Sequence, residues 1–307
     1  MAQKINNAGA CVLMNEPMAR HTTFRIGGPA DLYIAVRTAS EFGRVTALLK
    51  AGGVPVFILG GGANLLVSDS GIRGAVVDVE GLSDARLSGA CIVAQAGIAI
   101  DRLAEEYLAR GLAGMENFYG MPGTLGGAVF MNARCYESDI AAAVEGFSLL
   151  TDGGEVEYFD NDPSLWSYKR SPFQQGGIYA GRYIVSARLK TSQGQPERIA
   201  AVMRARRQDR MAKGHYRFPS AGSMFKNNRA FGKPTGAIID CLGLRGMRIG
   251  DAQVAPWHGN IFINRGSATA SDMVRLINAV RDKVMQAYGF RLEPEVVFVG
   301  ETTGENV

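Results

Sequence analysis

A run of three glycines at residues 60–62 constrains the fold of this chain more than any other feature. The run ends the apolar stretch "VPVFILG" and opens the loop "GGGANLLV", a pattern that predicts a buried strand leading into a tight loop. Glycines lack a Cβ, so the successive backbone N–H groups of such a loop are exposed and suit phosphate oxygens. An ordinary tight turn of an α/β protein explains the same glycines, and the loop alone leaves both interpretations open.

A second glycine-rich loop, "GMPGTLGG" at 120–127, offers the same chemistry. The first loop is neither a Walker A loop, since no Gly-Lys-Ser/Thr follows, nor a G-x-G-x-x-G motif, since Leu65 stands where the third glycine is needed. Two such loops suggest a ligand with two or more phosphates, such as a dinucleotide cofactor. The candidate cofactor-binding residues are Gly60, Gly61, Gly62, Ala63, Asn64, Leu65, Gly120, Met121, Pro122, Gly123, Thr124, Gly126 and Gly127.

Helices and strands are indicated on both sides of these loops. Thr38 and Glu41 form a capping-box pattern that predicts a helix over 38–53, and "GAVVDV" and "YIVSARLK" predict strands. Near the C-terminus, "GNIFINRG" predicts a strand and "SDMVRLINAVRDKVMQAYG" a helix. The apolar face of that helix is predicted from a spacing of three or four residues: Val274, Ile277, Val280, Val284 and Tyr288.

Composition excludes several classes of protein. Apolar residues are 47% and charged residues 20% of the 307, which indicates a globular chain, and the net charge of +4 comes without a dense basic patch of the nucleic-acid-binding kind. The four cysteines form no C-x-x-C pair, and no apolar run is long enough to span a bilayer. We therefore expect a cytoplasmic protein without a nucleic-acid partner, a membrane segment or a metal site.

The length predicts two domains or three small ones. The polar segment "TSQGQPE", at 191–197, is the clearest boundary, and a basic helix that includes "RARRQDR" follows it. The predicted domains are residues 1–80, 81–195 and 196–307.

Beyond these patterns, eight blocks of the sequence resemble, in order, those of the UDP-N-acetylenolpyruvoylglucosamine reductases (MurB). The blocks are "TTFRIGGPAD" (22–31), "ILGGGANLLV" (58–67), "GMPGTLGGAVFMNA" (120–133), "YKRSPF" (168–173), "AGSMFKN" (221–227), "LRGMRIGDAQV" (244–254), "HGNIFIN" (258–264) and "LEPEVVFVGE" (292–301). The resemblance implies an α+β protein with an FAD-binding fold of the vanillyl-alcohol-oxidase (PCMH) type in two subdomains and a C-terminal α/β substrate domain. The short chain between Phe173 and the strand at 183 resembles the smaller type of the family, which lacks an inserted substrate loop.

The resemblance also implies the reaction. NADPH reduces FAD, and the flavin N5 then delivers hydride to carbon 3 of the enolpyruvyl ether of UDP-N-acetylglucosamine, giving UDP-N-acetylmuramate for peptidoglycan. The implied partners are these small molecules, and the expected state is a monomer. Negative charge builds on carbon 2 and its carboxylate, so the site must stabilise an enolate and protonate carbon 2 from one face.

Two residues match the family's proton-transfer groups. Ser223 of "AGSMFKN" matches the proton donor, although by itself it reads as a turn serine after Gly222. Glu295, the second glutamate of "LEPEV", matches the acidic partner near the enolate.

The expected cation departs from the family pattern Tyr-Arg-x-Ser-x-Phe. Tyr168, Ser171 and Phe173 fix a register in which Lys169 takes the arginine position and Arg170 comes one residue late. On an extended segment, a one-residue shift turns a side chain to the opposite face. We favour Arg170, because a guanidinium matches a carboxylate-bearing enolate better than an ammonium, and keep Lys169 as the alternative.

Other matches concern the substrate. Lys226 and Asn227 fit contacts to the diphosphate, and Tyr168 and His258 are further candidates, with a structural histidine as the alternative at 258. Ala63 replaces a serine common in the first glycine loop, and "NARCYE" at 132–137 replaces Asn-Ala-Gly-Ala-Tyr-Gly.

Two other functions compete with this reading. One is an FAD-dependent oxidase of the same fold that uses O2, for which His21 is the nearest candidate for a covalent flavin attachment. The other is a nucleotide-binding regulatory protein without catalysis, which the "AGSMFKN" block and Glu295 argue against.

Overall fold

A computed structural model describes residues 1–7, 9–136 and 138–300. Glu137 of the "NARCYE" segment and Glu301 of the last family block lie outside the described residues. Backbone contacts divide the chain into two compact units. The first comprises Met1–Leu13, Leu32–Gly61 and Gly74–Gln208, and the second comprises Met14–Asp31, Gly62–Arg73 and the chain from Asp209 onward. The predicted domain limits at residues 80 and 195 stay predictions.

The helices of the described residues, numbered in chain order, are α1 (Ala2–Asn7), α2 (Ala39–Ala51), α3 (Ile100–Ala109), α4 (Leu125–Phe130), α5 (Ile140–Ala143), α6 (Pro196–Ala212), α7 (Thr235–Cys241) and α8 (Ala270–Tyr288). The strands are β1 (Cys11–Pro17), β2 (Pro29–Ala35), β3 (Val56–Leu59), β4 (Leu65–Val67), β5 (Ile72–Asp78), β6 (Ala85–Ser88), β7 (Cys91–Gln95), β8 (Leu112–Ala113), β9 (Arg134–Cys135), β10 (Ser138–Asp139), β11 (Val144–Leu150), β12 (Val156–Asp160), β13 (Tyr183–Lys190), β14 (Ser192–Gln193), β15 (Arg248–Ile249), β16 (Ala252–Val254), β17 (Phe262–Asn264) and β18 (Val297–Val299).

One core of the first unit forms between α2 and the parallel strands β3 and β5, which belong to a sheet of order β1-β2-β5-β3. The predicted cap of α2 is present: the N–H of Glu41 donates to Thr38 Oγ1 at 3.1 Å. Phe42, Val45 and Leu49 follow at helical spacing and are fully buried. The predicted helix and the strands on either side of the first glycine loop are confirmed.

The other core of the first unit lies under an antiparallel sheet of order β12-β11-β13-β7-β6, packed against α3 and α4. The strand predicted over residues 183–190 is confirmed as β13, which pairs with β11 on one side and β7 on the other. The second glycine loop leads into α4, which packs against β7 and β13 of this sheet.

The core of the second unit forms between α8 and the antiparallel sheet β15-β16-β17, next to the parallel pair β4 and β18. Helix α8 begins at a complete capping box of Thr269 and Asp272 and ends at Gly289, whose φ is +76°. Ile277, Val280 and Val284 are fully buried, as predicted.

The predicted apolar face of α8 is wrong at its end. Tyr288 is 42% exposed, whereas Met273 and Leu276 are fully buried. The face drifts around the helix, because a spacing of three or four residues does not return to one line over five turns.

None of the helices in the described part of the chain combines the length and apolar composition that a membrane span requires. Within the same residues, no group of three or more His, Cys, Asp or Glu side chains is placed to hold a metal ion.

Candidate functional site

The first glycine loop joins β3 to β4, and close backbone packing explains one of its glycines. Gly62 has a φ of +57°, and a Cβ there would lie 2.0 Å from the carbonyl oxygen of His21. Any side chain would therefore clash with backbone that cannot move away cheaply.

The second glycine loop lies against the first two glycines within the first unit. A Cβ on Gly60 would lie 2.3 Å from Thr124 Oγ1, and a Cβ on Gly61 would lie 2.9 Å from Gly123 Cα. Glycines at 60 and 61 thus let the two loops touch. Gly60 and Gly61 lie against Gly123 and Thr124, residues of two separate loops that were predicted to bind one cofactor.

Several polar groups of these loops have no hydrogen-bond partner among the residues that the structure describes. Among the described residues, the Thr124 hydroxyl is buried and has no hydrogen-bond partner. Over the same part of the chain, the N–H groups of Gly60, Gly61 and Gly123 in the first unit donate to no backbone acceptor, and the same holds for residues 62–64 in the second unit. Because buried polar groups are usually paired, these donors favour a ligand that brings acceptor oxygens, such as a phosphate.

Other residues of the two loops have structural roles. Leu65 begins β4, and Gly126 and Gly127 lie in α4. The N–H of Gly126 donates to Ala96 O at 2.7 Å, and a Cβ on Gly126 would lie 2.9 Å from the Ala96 Cβ. Gly126 therefore lets α4 pack closely against Ala96, the residue that follows β7. Among the rest, Gly120 is buried, Met121 is half-buried and Pro122 is exposed.

Ser223 lies on an extended segment in the second unit, not in a turn. It forms an antiparallel bridge with Ile261, next to β17. The following residue, Met224, donates its N–H to Asn260 O at 2.8 Å. The turn lies one residue earlier, at Gly222, whose φ is +76°. The half-buried serine is thus held by strand pairing.

The Glu295 segment lies beside the Ser223 segment. The N–H of Glu295 donates to Met224 O at 2.8 Å, and Phe225 forms a bridge with Pro294. Two residues that are 72 positions apart in the sequence (295 − 223) therefore lie on adjacent extended segments. Glu295 is half-buried. Among the predicted catalytic residues, this is the pair that the second unit brings together.

Lys226 and Asn227 both have partners at the edge of this unit. Lys226 Nζ forms an ion pair with Glu293, and Asn227 Oδ1 accepts the N–H of Thr235 at 2.9 Å. Asn227 itself is exposed to solvent. The two side chains can present an ammonium and an amide donor to an anion, once Glu293 gives way.

His258 and His215 form a pair with their ring centroids 6.4 Å apart. Nδ1 of His258 accepts the N–H of Asn260 at 3.1 Å, so this nitrogen is committed to the backbone. Burial lowers the pKa of His258 and lowers the pKa of His215 to about 4. Both rings are neutral at pH 7, and His258 has a clear structural role at its Nδ1.

The segment of Tyr168, Lys169 and Arg170 lies in the first unit and is not extended. Ser167 and Arg170 exchange backbone hydrogen bonds of 3.2 and 3.0 Å, which makes Tyr168 and Lys169 the central residues of a two-residue turn. Lys169 has a φ of +57°, a left-handed conformation that is uncommon for a lysine. The premise that a one-residue shift points to the opposite face was therefore wrong, because alternation applies only to strands.

Side-chain amides hold this turn in place. Asn132 Nδ2 donates to Ser167 O at 2.8 Å, and Gln174 Nε2 donates to Lys169 O at 3.3 Å. Tyr168 is 45% exposed and Arg170 is exposed. Among the described residues, no side chain bonds the Arg170 guanidinium.

Two residues missed by the sequence analysis tie the second unit together. Asn260, 3% exposed, accepts the N–H of Phe225 at 2.9 Å and donates to its carbonyl at 2.8 Å. Thr23 Oγ1 donates to Ser220 O at 2.7 Å, and its N–H donates to Gly62 O at 3.1 Å. Both residues lie in family blocks, "HGNIFIN" and "TTFRIGGPAD", and that position was the available signal.

Comparison with known proteins gives concordant results. The family described as "FAD binding domain" matches residues 30–160, and "UDP-N-acetylenolpyruvoylglucosamine reductase, C-terminal domain" matches residues 214–299. A UDP-N-acetylenolpyruvoylglucosamine reductase of Treponema denticola is 40% identical over 299 residues, covering 93% of each chain. One of Rubrobacter xylanophilus is 41% identical over 288 residues, covering 94% of this chain and 95% of the other.

A solved structure is similar over nearly the whole chain. The crystal structure of UDP-N-acetylenolpyruvylglucosamine reductase (MurB) from Thermus caldophilus has 31% sequence identity and a TM-score of 0.78. The match covers 95% of this chain and 99% of that one.

Proposed function

The chain belongs to the UDP-N-acetylenolpyruvoylglucosamine reductase family, and from this membership we propose that it reduces UDP-N-acetylglucosamine enolpyruvate to UDP-N-acetylmuramate with FAD and NADPH. As the sequence predicted, it is an α+β FAD-dependent oxidoreductase with an FAD-binding fold of the vanillyl-alcohol-oxidase type. We assign residues 1–80 and 81–195 to the two FAD-binding subdomains and 196–307 to the substrate domain. The monomeric state and cytoplasmic location stay predictions.

The glycine loops fit the diphosphate of FAD. The N–H groups of Gly60, Gly61 and Gly123 and the Thr124 hydroxyl in the first unit, and the N–H groups of residues 62–64 in the second, are donors available to phosphate oxygens. Ala63 lacks the hydroxyl of the serine common at this position, so its contribution is its N–H. The residues of the two loops would hold FAD, which would supply the hydride chemistry: acceptance of hydride from NADPH and its delivery to carbon 3 of the enolpyruvyl group.

Ser223 is the proposed donor of the proton that carbon 2 receives. A serine hydroxyl is a weak acid, but a carbanionic carbon is far more basic, so transfer is feasible when the hydroxyl is held in place. The strand pairing of Ser223 with Ile261 supports this role, because it fixes the backbone that carries the hydroxyl.

Glu295 is the proposed acidic partner near carbon 2. Its backbone lies beside Met224, which follows Ser223, and this adjacency is the observation that carries the proposal. Two family-matched groups from distant parts of the sequence meet on neighbouring segments, as a shared proton-transfer role requires.

Arg170 is the proposed cation that stabilises the enolate, in preference to Lys169. Its guanidinium is exposed and, within the described residues, unbonded, so it is available to a carboxylate in a bidentate geometry. Lys226 and Asn227 are the proposed contacts of the substrate diphosphate, and Tyr168 and His258 are further proposed substrate contacts.

Three measurements on the purified protein test the function. Incubation with FAD should give the absorbance band of a bound flavin at about 450 nm. Anaerobic NADPH should bleach the band, and the enolpyruvyl substrate should then restore it without O2. Reoxidation by O2 alone would favour the oxidase alternative, and a protein that binds no flavin would contradict both enzymes.

A further inference from the structure

Asn64, in the first glycine loop, is bonded to the segment that carries Glu295. Its Nδ2 donates to Glu295 O at 3.0 Å, and its carbonyl accepts the N–H of Val297 at 2.9 Å. Strand β4 begins at the next residue and continues the contact by pairing in parallel with β18. The loop that fits the cofactor phosphates is thus joined directly to the proposed acid.

The peptide groups of Glu295 are held from both sides. Its N–H donates to Met224 O on the Ser223 side, and its carbonyl accepts from Asn64 on the glycine-loop side. Thr23 makes a second connection of the same kind, since it bonds Gly62 O with its N–H and Ser220 O with its hydroxyl. Both proposed proton-transfer segments are therefore tied to one loop.

The chemistry of this contact requires a donor at position 64. A carbonyl needs an N–H or O–H partner, which the carboxamide of Asn64 supplies and an alanine lacks. A charged aspartate would place an oxygen against the Glu295 carbonyl oxygen. The side chain of Asn64 is therefore occupied by Glu295, and its backbone N–H remains for the cofactor.

We propose that Asn64 is a positioning residue that holds Glu295 in register with the cofactor loop for the second half-reaction. The proposal rests on the proposed function, and it separates two roles in one residue. The N–H of residue 64 serves the cofactor, whereas its side chain serves the acid. Displacements of about 1 Å at a reacting group cost on the order of 10²-fold in rate, so one lost contact has a measurable effect.

The test compares Asn64→Ala and Asn64→Asp with wild type in both half-reactions. Reduction by NADPH should stay within about threefold, and reoxidation by the enolpyruvyl substrate should slow by roughly 10- to 100-fold in Asn64→Ala. For Asn64→Asp, the rate relative to wild type should rise as pH falls toward about 4, because a protonated aspartic acid regains the ability to donate.

A readout independent of activity is amide hydrogen exchange in the FAD-free protein. Exchange across residues 293–299 should be faster in Asn64→Ala than in wild type, since the Glu295 carbonyl loses its donor. Asn161→Ala is the control for loss of a carboxamide in the first unit, because Asn161 Nδ2 donates to Val144 O at 3.0 Å, the same kind of bond, and its Oδ1 accepts from Trp166 Nε1 at 2.7 Å. This control should leave both half-reactions and the exchange at 293–299 unchanged.

Several outcomes would overturn the proposal. Equal slowing of both half-reactions, or loss of flavin binding, would make Asn64 a cofactor residue only. A lower melting temperature with unchanged reoxidation and unchanged pH dependence would make it merely structural. If the substrate fails to reoxidise reduced wild-type protein, the proposed function falls, and the exchange comparison still decides whether Asn64 holds the Glu295 segment.

Discussion

Ser223 and Glu295 lie on backbone that is hydrogen-bonded to neighbouring segments, whereas Lys169 lies in a two-residue surface turn that Arg170 closes. The difference matches what each group has to do. A proton must travel from a fixed atom to one face of one carbon, within hydrogen-bond distance, so its donor needs a rigid support. A charge acts over a longer distance, with an energy that falls only as the inverse of that distance. A cation therefore tolerates a support that is held by two amides.

The largest expected effect comes from removing the Ser223 hydroxyl, which lies on the hydrogen-bonded backbone. Ser223→Ala should leave flavin reduction by NADPH intact and slow reoxidation by substrate about 10²- to 10⁴-fold, the range for a lost general acid. Stopped-flow absorbance of the two half-reactions measures both rates. Ser220→Ala, in the same segment, is the control, because Thr23 bonds its carbonyl and not its hydroxyl. Equal slowing of both halves in Ser223→Ala would make Ser223 structural.

The turn should give a smaller effect. Arg170→Ala should slow reoxidation about 10-fold or more, because the enolate loses a charge partner, and Arg170→Lys should recover part of the rate. Lys169→Ala should stay within about threefold of wild type. The effect of Arg170 should weaken in added salt, since the side chain is exposed. A larger loss in Lys169→Ala would reverse the assignment.

In the glycine loops the polar side chain is neither fixed by strand pairing nor held by amides: the Thr124 hydroxyl has no partner among the described residues and is available to a ligand. Thr124→Val should raise the dissociation constant for FAD about 3- to 10-fold, the range for one net hydrogen bond. Flavin titration of the FAD-free protein measures it. Thr46→Val is a control, because the Thr46 hydroxyl is already bonded to its own helix at 2.9 Å. An unchanged dissociation constant in Thr124→Val would mean that the hydroxyl does not contact the cofactor.

The smallest expected effect concerns the pH dependence of stability, and it arises in the second unit. All three histidines lie in the second unit. Burial is the main cause that lowers the pKa of His215 to about 4; Arg210, His258 and Lys213 contribute in the same direction, and Asp209 opposes them. The unfolded state then binds the extra proton first, so stability is full above about pH 6.5 and is lost as pH falls toward 4.

His215→Gln should flatten this dependence, with a difference in melting temperature of about 2–4 °C between pH 6.5 and 4.5 relative to wild type. Thermal unfolding over that range checks it. An unchanged slope would mean that His215 takes up its proton without opposition in the folded state.

Local signals account for the elements that the sequence predicted. The cap of α2 and the apolar spacing of the buried faces of α2 and α8 depend on residues three or four positions apart, which a sequence displays directly. Contacts between residues far apart in the sequence were missed. Asn64 and Glu295 are 231 positions apart, and nothing near either residue indicates the bond.

The turn at Lys169 was also hidden, because a lysine gives no sign of a positive φ of the kind that a glycine gives. Of the candidate site, the paired glycine loops followed from the residues, whereas Ser223 and Glu295 needed the resemblance. A serine in a small-residue segment and a glutamate near a proline are common features, and their adjacency depends on the tertiary fold.

The ion pair of Lys226 with Glu293 has a consequence for substrate affinity. Under the proposed function, the substrate diphosphate competes with a carboxylate for the same ammonium, so binding replaces one counter-ion with another. Binding of the diphosphate therefore releases Glu293 into solvent, and the measured affinity reflects the difference between the two interactions of Lys226. The same competition favours release of the product, because Glu293, whose side chain is 66% exposed, can form the ion pair with Lys226 again.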